Sequence, residues 1–273
     1  MTTVAHSFDR RNERATAGFV ASTLAITRRA ALRYARTPQL IVMATLQMAL
    51  FFLIYRYMFG GAIHAGSISY VDYLVPGFIA TGVLFSGIGA AVAVAEDVEQ
   101  GFVDRLRSLP IPRSSALAAR VLADTAILAL SAAVTVAIAF GVGFRLHGTV
   151  IEGLTAFGLV VVFGFAFEWL FVALGLLSGS GQAAQGMGMI VFPLAFVSSA
   201  YVTVASMPGW LQMFAKYQPL TDMVDAVRGM TLGSHAQVEL GHPSSYYIAR
   251  ALVWAAAIFA ASAPLAVAKY QRG

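Results

Sequence analysis

Apolar residues along this chain are gathered into six stretches, separated by connections that carry most of the charge. Each stretch has about 20 residues or more, the length at which an α-helix crosses a hydrocarbon core of about 30 Å. We therefore predict an all-α polytopic membrane protein in which residues 39–273 form a single transmembrane domain. The six predicted spans lie near residues 40–59, 71–95, 116–144, 153–177, 183–205 and 246–268.

Composition supports this class and narrows the chemistry. Of the 273 residues, 59% are hydrophobic and 11% are charged, whereas soluble domains carry about 25% charged residues. The chain has no cysteine, which excludes disulfides and thiolate metal sites. The motif Gly-x-x-x-x-Gly-Lys-Ser/Thr is absent, so the chain does not bind ATP through a P-loop. None of the five histidines lies in a predicted span, which argues against an intramembrane metal or haem.

Residues 1–38 are strongly basic, with seven arginines against two acidic residues. From about Ala15, apolar residues follow one helical stripe and arginines another, a pattern typical of a helix on the membrane surface. We predict a cytoplasmic basic tail followed by an amphipathic interfacial helix that ends at Pro38. Thirteen of the 18 lysines and arginines lie in three regions, which are residues 1–38, residues 96–120 and the C-terminal tail. The positive-inside rule then places both termini on the cytoplasmic side of the cell membrane.

A charged island, residues 96–115, separates the second and third predicted spans. As a helix it places Phe102, Leu106 and Leu109 on one apolar edge, and Pro110 cannot continue that helix. A short amphipathic rod of this kind is typical of an element that docks on lipid headgroups or on another protein. A solvated connector between two spans is the alternative.

The other long connection, residues 206–235, contains two predicted short helices. Pro208 can open the first and Pro219 the second, because proline fits the first turn of a helix. Two amphipathic helices joined by a sharp turn predict a re-entrant hairpin in the outer leaflet, whereas a pair of interfacial helices lying flat is the alternative. The candidate residues of this hairpin are Pro208, Trp210, Gln218, Pro219, Asp225 and Arg228.

Few polar residues lie inside the predicted spans. Glu168 is near the middle of the fourth span, where an ionised group costs about 2.5 to 3.5 kcal/mol, so its side chain should face the interior of the bundle. It is either a structural clasp between helices or a group that handles substrate or protons. Gln47 in the first span is a second candidate. Asp124 lies four residues after Arg120, which predicts a local ion pair.

The combination of a basic surface helix, six spans and these two connections resembles the permease subunit of a type-2 ABC exporter, in the daunorubicin-resistance-like branch. The most specific pieces of the resemblance are Glu96, Gly101, Arg105, Leu106, Pro110 and Pro112 in the first connection, and Gln218-Pro219-Leu220 with Arg228-Gly229 in the second. Many members of the branch carry asparagine at the position of Gln218, so the glutamine is a minor departure.

The resemblance implies that residues 96–115 contain a coupling helix that docks on a separate cytoplasmic ABC ATPase subunit. ATP and Mg²⁺ would then be bound by that partner, no cofactor by this chain, and the chain would not be an enzyme by itself. A second copy or a similar permease would complete the pathway for an amphipathic drug, lipid or polyketide-like molecule moving outwards. The implied coupling residues are Glu96, Glu99, Gly101, Phe102, Arg105, Leu106, Leu109 and Pro110.

Two other classes compete with this interpretation. A proton-coupled secondary transporter would use Glu168 as its proton carrier and would predict related halves with broken helices, but no repeat is visible between the first three and the last three spans. A membrane-embedded enzyme lacks a catalytic constellation in this sequence. Nucleic acid is not an expected partner, because the basic residues follow the membrane orientation pattern.

Overall fold

The computed structural model of the protein describes residues 23, 27, 46, 49–60, 69–101, 113–233 and 240–272. Most of the predicted interfacial helix in residues 1–38 and most of the connection at residues 96–115 therefore lie outside the described residues. The individual candidates that lie outside them are Gln47, Phe102, Arg105, Leu106, Leu109 and Pro110.

Where the structure describes it, the chain is built from helices and the turns between them. The first helix, α1 (Ala49–Met58), runs into a π-helical turn at Tyr55–Phe59. The following helices are α2 (Tyr70–Glu99), α3 (Arg113–Val142), α4 (Val150–Ser178), α5 (Gly181–Gly188), α6 (Val191–Phe196), α7 (Gly209–Tyr217), α8 (Pro219–Thr231) and α9 (Ser244–Arg272), with a 3-10 turn at Val204–Ser206 before α7.

Within the described residues, α2, α3, α4 and α9 are the four helices long and apolar enough to cross a membrane. They cover the predicted second, third, fourth and sixth spans. The chain is thus a helical membrane protein with four candidate spans in its described part. Of the first predicted span, residue 46 and the end, as α1, lie within the described residues.

The predicted fifth span, residues 183–205, is not one continuous helix, and the structure corrects that expectation. It divides into α5 and α6, separated by turn residues 189 and 190, and continues as an irregular segment. Two residue types explain the break. Pro193 has no N–H to continue the hydrogen-bond ladder, and glycines at 186 and 188 favour the helix less than alanine would.

Local sequence signals set the ends of the long helices. The Ser69 side chain caps α2 by accepting a hydrogen bond from the backbone N–H of Asp72. Thr149 and Glu152 form a reciprocal capping box at the start of α4, which satisfies two backbone donors that the first turn leaves free. Gly101 has a φ of +68°, and it follows the last turn of α2. Residues 96–99, predicted to belong to the connection, are therefore the last turn of this helix.

The two ends of the helix bundle are named here after the connections that lie at them. The loop end is where α2 stops, α3 begins, and the side chain of Glu96 lies against Gly181 at the start of α5. The hairpin end is opposite, where His147 donates a backbone hydrogen bond to the carbonyl of Thr231 in the last turn of α8. Helices α2 and α4 pack directly on each other through the bundle.

Helix α8 lies inside the protein, whereas its neighbour α7 lies on the surface. Every residue from Leu220 to Thr231 is buried, because α8 packs against α2, α4 and α9. Its C-terminal turn, at Gly229, contacts Ser244 at the start of α9. Its first turn reaches Trp254, since the indole Nε1 donates a 3.0 Å hydrogen bond to Asp222. Trp254 lies ten residues after Ser244, which corresponds to about 15 Å of helix.

Candidate functional site

A cavity of about 670 Å³ lies among α2, α3, α4 and the broken segment that contains α6. Residues of α2 line it from Phe78 to Ala93. With a rise of 1.5 Å per residue, this wall is about 22 Å long, compared with about 30 Å for a hydrocarbon core. The cavity volume lies within the range of about 300 to 1,000 Å³ that is usual for ligand pockets.

Small residues on α2 keep this space open. Gly82, Ser86, Gly89 and Ala90 all line the cavity. A Cβ atom added at Gly89 would meet nothing within 4 Å, so this part of α2 faces empty space instead of a neighbouring helix. Elsewhere on α2, at Gly87, an added Cβ would clash with the ring of Phe171. One face of α2 therefore packs tightly on α4 while another borders the cavity.

Charged side chains line the cavity on the side of the loop end. Arg120 hydrogen-bonds Asp97 of α2, and its Nε lies 3.6 Å from Oδ2 of Asp124. The predicted ion pair of Arg120 and Asp124 is present, and Asp97 of α2 joins it as a third charged residue. Glu168 of α4 also lines the cavity. About ten residues, or 15 Å of helix, separate it from the end of α4.

The carboxyl group of Glu168 is 2% exposed. Its Oε2 accepts no hydrogen bond from any described residue, and Ser86 on α2 is the hydrogen-bonding side chain beside the carboxyl group. The sequence predicted that Glu168 faces the interior of the bundle, and its burial agrees with that prediction. The carboxyl group thus has one partner on a neighbouring helix, as a clasp between helices would, and one oxygen without a partner among the described residues.

Aromatic rings form the cavity wall on the side of the hairpin end. Tyr55 of α1 stacks on Tyr201 with ring centroids 4.8 Å apart, and Phe85 of α2 meets Phe192 of α6 at the same distance. The Tyr201 hydroxyl lies 2.8 Å from the hydroxyl of Thr81. Phe192 and Tyr201 belong to the broken fifth stretch, so the break itself brings rings to the cavity.

A buried polar cluster joins α8 to α2 near the hairpin end. Arg228 is 2% exposed, and its Nη1 lies 3.1 Å from Oδ1 of Asp225. Its Nη2 donates hydrogen bonds to the backbone carbonyls of Ser199 and Tyr73, at 2.9 and 3.2 Å. The guanidinium also lies 3.7 Å from the centre of the Tyr73 ring. Burial raises the pKa of Asp225, and the guanidinium of Arg228 acts in the opposite direction.

This cluster was not predicted from the sequence, where Arg228 counted among the charges of an outer connection. The i, i+3 spacing of Asp225 and Arg228 was the signal that could have revealed it, because such pairs share a helix face. Asp222 lies one turn earlier and is 1% exposed. It accepts hydrogen bonds from Trp254 at 3.0 Å and from Nε of Arg250 at 3.1 Å.

Gln218 occupies the turn between α7 and α8. Its side-chain amide donates hydrogen bonds to the carbonyls of Leu194, at 3.2 Å, and of Val197. These carbonyls lie at the end of α6, where the helix stops and its own donors are missing. The turn therefore satisfies the backbone of the broken fifth stretch. Helix α8 begins at Pro219 and α7 directly after Pro208, whereas Trp210 on α7 is 76% exposed.

The residues predicted for ATPase coupling are only partly described. Glu96 and Glu99 lie in the last turn of α2, and Gly101 follows it. The hydrogen bond between Asp97 and Arg120 ties α2 to α3 on either side of the connection. In the described part of the chain, no three histidine, aspartate or glutamate side chains gather to hold a metal ion.

Comparison with known proteins identifies the family. Residues 21–232 match the family described as ABC-2 type transporter. The chain is 30% identical over 232 residues to the daunorubicin resistance ABC transporter permease protein DrrB1 of Streptomyces coeruleorubidus, across 85% of this chain and 81% of that protein. It is 27% identical over 255 residues to the probable doxorubicin resistance ABC transporter permease protein DrrC of Mycobacterium tuberculosis, across 91% of this chain and 88% of that protein. The chain therefore belongs to the ABC-2 type transporter family of membrane permeases.

Proposed function

We propose that this chain is the membrane-spanning permease subunit of an ATP-driven exporter. It moves an amphipathic drug, lipid or polyketide-like molecule outwards and is not an enzyme by itself. ATP and Mg²⁺ are bound by a separate cytoplasmic ABC ATPase subunit, and a second copy of the chain or a similar permease completes the pathway. The names of the two relatives concern daunorubicin and doxorubicin resistance and support a drug as the cargo.

The cavity is the observation that carries this proposal. It combines charged groups on the side of the loop end with an aromatic wall on the side of the hairpin end. A molecule with one polar and one apolar part fits such a surface, because each part then meets groups of its own kind. The length of the α2 wall, about 22 Å, extends this surface over most of a hydrocarbon core.

The loop end is cytoplasmic in this proposal, with both termini, and the connection at residues 96–115 is the coupling element. Helices α2 and α3 flank this connection, and both line the cavity. When the ATPase subunits close on nucleotide, the push on the connection reaches the two helices together, because Asp97 and Arg120 join them. The coupling residues are Glu96, Glu99, Gly101, Phe102, Arg105, Leu106, Leu109 and Pro110.

The hairpin of α7 and α8 is re-entrant in this proposal. The support is its position beside α9, where the first turn of α8 meets Trp254 about 15 Å from the start of that helix. The burial of every residue from Leu220 to Thr231 also means that protein covers this arm of the hairpin, as a re-entrant segment at membrane depth requires. The exposed apolar side chains of α7, including Trp210, Met213 and Phe214, then face lipid or the second permease.

A double substitution, Phe102→Ala with Leu106→Ala, tests the coupling proposal. These side chains form the apolar edge of the connection, and loss of buried anchors at an interface costs about 2 to 4 kcal/mol. The ATPase subunit should therefore co-purify at least about a hundredfold less well, and ATP-driven transport should stop. The permease itself should insert and remain stable in detergent.

The matched control is Leu252→Ala with Val253→Ala, which removes two apolar side chains from the exposed face of α9. This variant should retain the ATPase subunit. If the double variant in the connection also retains its ATPase and full transport, residues 96–115 are a plain connector and the coupling mechanism is wrong.

One observation favours a second function, proton-coupled secondary transport. Glu168 is buried at the cavity with an oxygen that no described residue satisfies, as a proton carrier would be. In that case a protonophore should stop transport while ATP is still present. Under the ATPase proposal, purified complexes in liposomes should transport without a proton gradient and only when ATP is supplied.

A further inference from the structure

The cavity contains more negative than positive charge. Among the described residues that line it, Arg120 is the one cation, and Asp124 and Glu168 are the two carboxylates. Arg120 also donates a hydrogen bond to Asp97 of α2. One guanidinium is thus shared by Asp97, which is partly exposed, and Asp124. Glu168 has no partner among the described ion pairs, and a charge buried without a counter-charge is strongly disfavoured. The site requires a positive charge or a proton that the described residues do not provide.

Glu168 is the carboxylate that is furthest from being satisfied. Each of the two carboxylates has one oxygen without a hydrogen-bond partner in the described chain, but Asp124 has the cation of Arg120 within 3.6 Å, whereas Glu168 has no cationic partner among the described ion pairs. The side chain is 2% exposed and lines the cavity. Glu168 is therefore placed to bind a ligand that enters the cavity.

The rest of the cavity wall fits the body of a cationic molecule. Tyr55, Phe78, Phe192 and Tyr201 line it, and aromatic faces attract cations as well as apolar rings. Glu168 and Asp124 lie at a similar level, about 15 and 16 Å from the loop ends of their helices. A ligand can therefore place one charged nitrogen between the carboxylates and extend its rings towards the hairpin end.

We infer that Glu168 is the specificity-determining residue of this cavity, which selects amphipathic cations, such as protonated or quaternary amines, and rejects anions of the same shape. The inference rests on the proposed function, because it names the class of molecule that the permease moves. It also assigns the separate roles: Glu168 and Asp124 bind the charge, and the aromatic wall binds the body.

Two ions of matched shape and opposite charge test this inference. Binding of tetraphenylphosphonium and tetraphenylborate at equilibrium would be measured with the permease, purified together with any ATPase subunit that it retains, in lipid nanodiscs without nucleotide. The wild-type complex should bind the phosphonium and bind the borate at least about tenfold more weakly. Glu168→Gln, which keeps the shape of the side chain, should weaken phosphonium binding by about ten- to a hundredfold and leave borate binding unchanged or tighter.

Two variants control for the substitution. Glu168→Asp keeps the charge and should retain most of the phosphonium binding. Glu152→Gln removes a carboxylate at the exposed start of the same helix, and glutamine can still serve the capping box there, so binding should match the wild type. Equal affinity of the wild type for both ions, or unchanged phosphonium binding by Glu168→Gln, would overturn the inference.

Failure of the charge inference is distinguishable from failure of the proposed function. Nucleotide hydrolysis by the partner and its co-purification with the permease are measured on the same samples. If the ATPase couples to the permease and Glu168→Gln has no effect on ion binding, the exporter assignment stands and the charge selection is wrong. If no ATPase couples while Glu168→Gln still loses the phosphonium, the exporter assignment is wrong and the cation site stands.

Discussion

The guanidinium of Arg228 lies inside the protein because its charge and both of its terminal nitrogens have partners, although its Nε has no hydrogen-bond partner among the described residues. Asp225 supplies the counter-charge at 3.1 Å, two carbonyls accept hydrogen bonds, and the ring of Tyr73 covers one face. The partners come from α8, α2 and the irregular segment after α6. The residue therefore connects three separate parts of the bundle through one side chain.

Removal of this guanidinium should destabilise the protein strongly. Arg228→Met keeps much of the volume but leaves Asp225 buried without its counter-charge, which costs about 3 to 5 kcal/mol. A thermal melt of the purified permease, followed by fluorescence-detected gel filtration, measures the loss.

Two comparison variants serve as controls for the thermal melt. Arg228→Met combined with Asp225→Asn removes both charges and should recover part of the stability. Lys216→Met removes a cation from the exposed surface of α7 and should change the melting temperature little. Equal melting temperatures for Arg228→Met and Lys216→Met would show that the buried cluster does not stabilise the fold.

Single residues were the hardest part of the site to predict. The interior position of Glu168 followed from its place in an apolar stretch, because a carboxyl group facing lipid is costly. The burial of Arg228 did not follow, since hydropathy averages treat α8 as a polar connection and cannot sense the neighbours that three other elements supply. That no described residue hydrogen-bonds Oε2 of Glu168 depends on packing between helices that are distant in sequence.

At the scale of helices, α2 and α4 approach each other so closely that glycine is required between them. A Cβ atom added at Gly175 of α4 would lie 2.4 Å from the carbonyl oxygen of Ala91. Both groups belong to helix backbones, so the clash can be relieved only if the two helices move apart. By contrast, Gly158 on the same helix has no atom within 4 Å of such a Cβ. These two glycines form a matched pair.

Gly175→Ala should force the two helices apart and lower the stability by about 1 to 3 kcal/mol, the usual cost of overpacking. Gly158→Ala should leave the packing unchanged and raise helix stability by up to about 1 kcal/mol. Chemical denaturation of both variants in the same detergent measures the difference. If Gly175→Ala were as stable as Gly158→Ala, the close approach of α2 and α4 would be incorrect.

Length and hydropathy were enough to predict the long helices, since α2, α3, α4 and α9 match four predicted spans within a few residues. The break in the fifth stretch was not predicted, because the hydropathy of residues 183–205 remains high across it. Its causes are the missing donor at Pro193 and the glycines at 186 and 188, and the amide of Gln218 hydrogen-bonds the carbonyls at the end of α6 from 21 to 24 residues away in sequence. This contact joins residues that are distant in sequence, so a hydropathy pattern cannot reveal it.

At the scale of the whole molecule, orientation remains a prediction that single cysteines can test. The native chain has no cysteine, so labelling has no background. Cysteines that replace Ser108, in the connection after α2, and Ser180, between α4 and α5, should be shielded from an impermeant thiol reagent in intact cells. A cysteine that replaces Ser67, before α2, should react. Labelling of position 108 from outside would reverse the topology and remove the basis for ATPase coupling.

The burial of α8 also sets an order for biosynthesis. Asp222, in the first turn of α8, obtains its hydrogen bonds from Arg250 and Trp254 of α9, which the ribosome makes about thirty residues later. Until the last helix has left the translocon, this carboxylate has neither its cation nor its indole donor. A nascent chain that stops before residue 250 therefore carries an unsatisfied acid in the first turn of α8, and its hairpin lacks the contacts that hold it against α9.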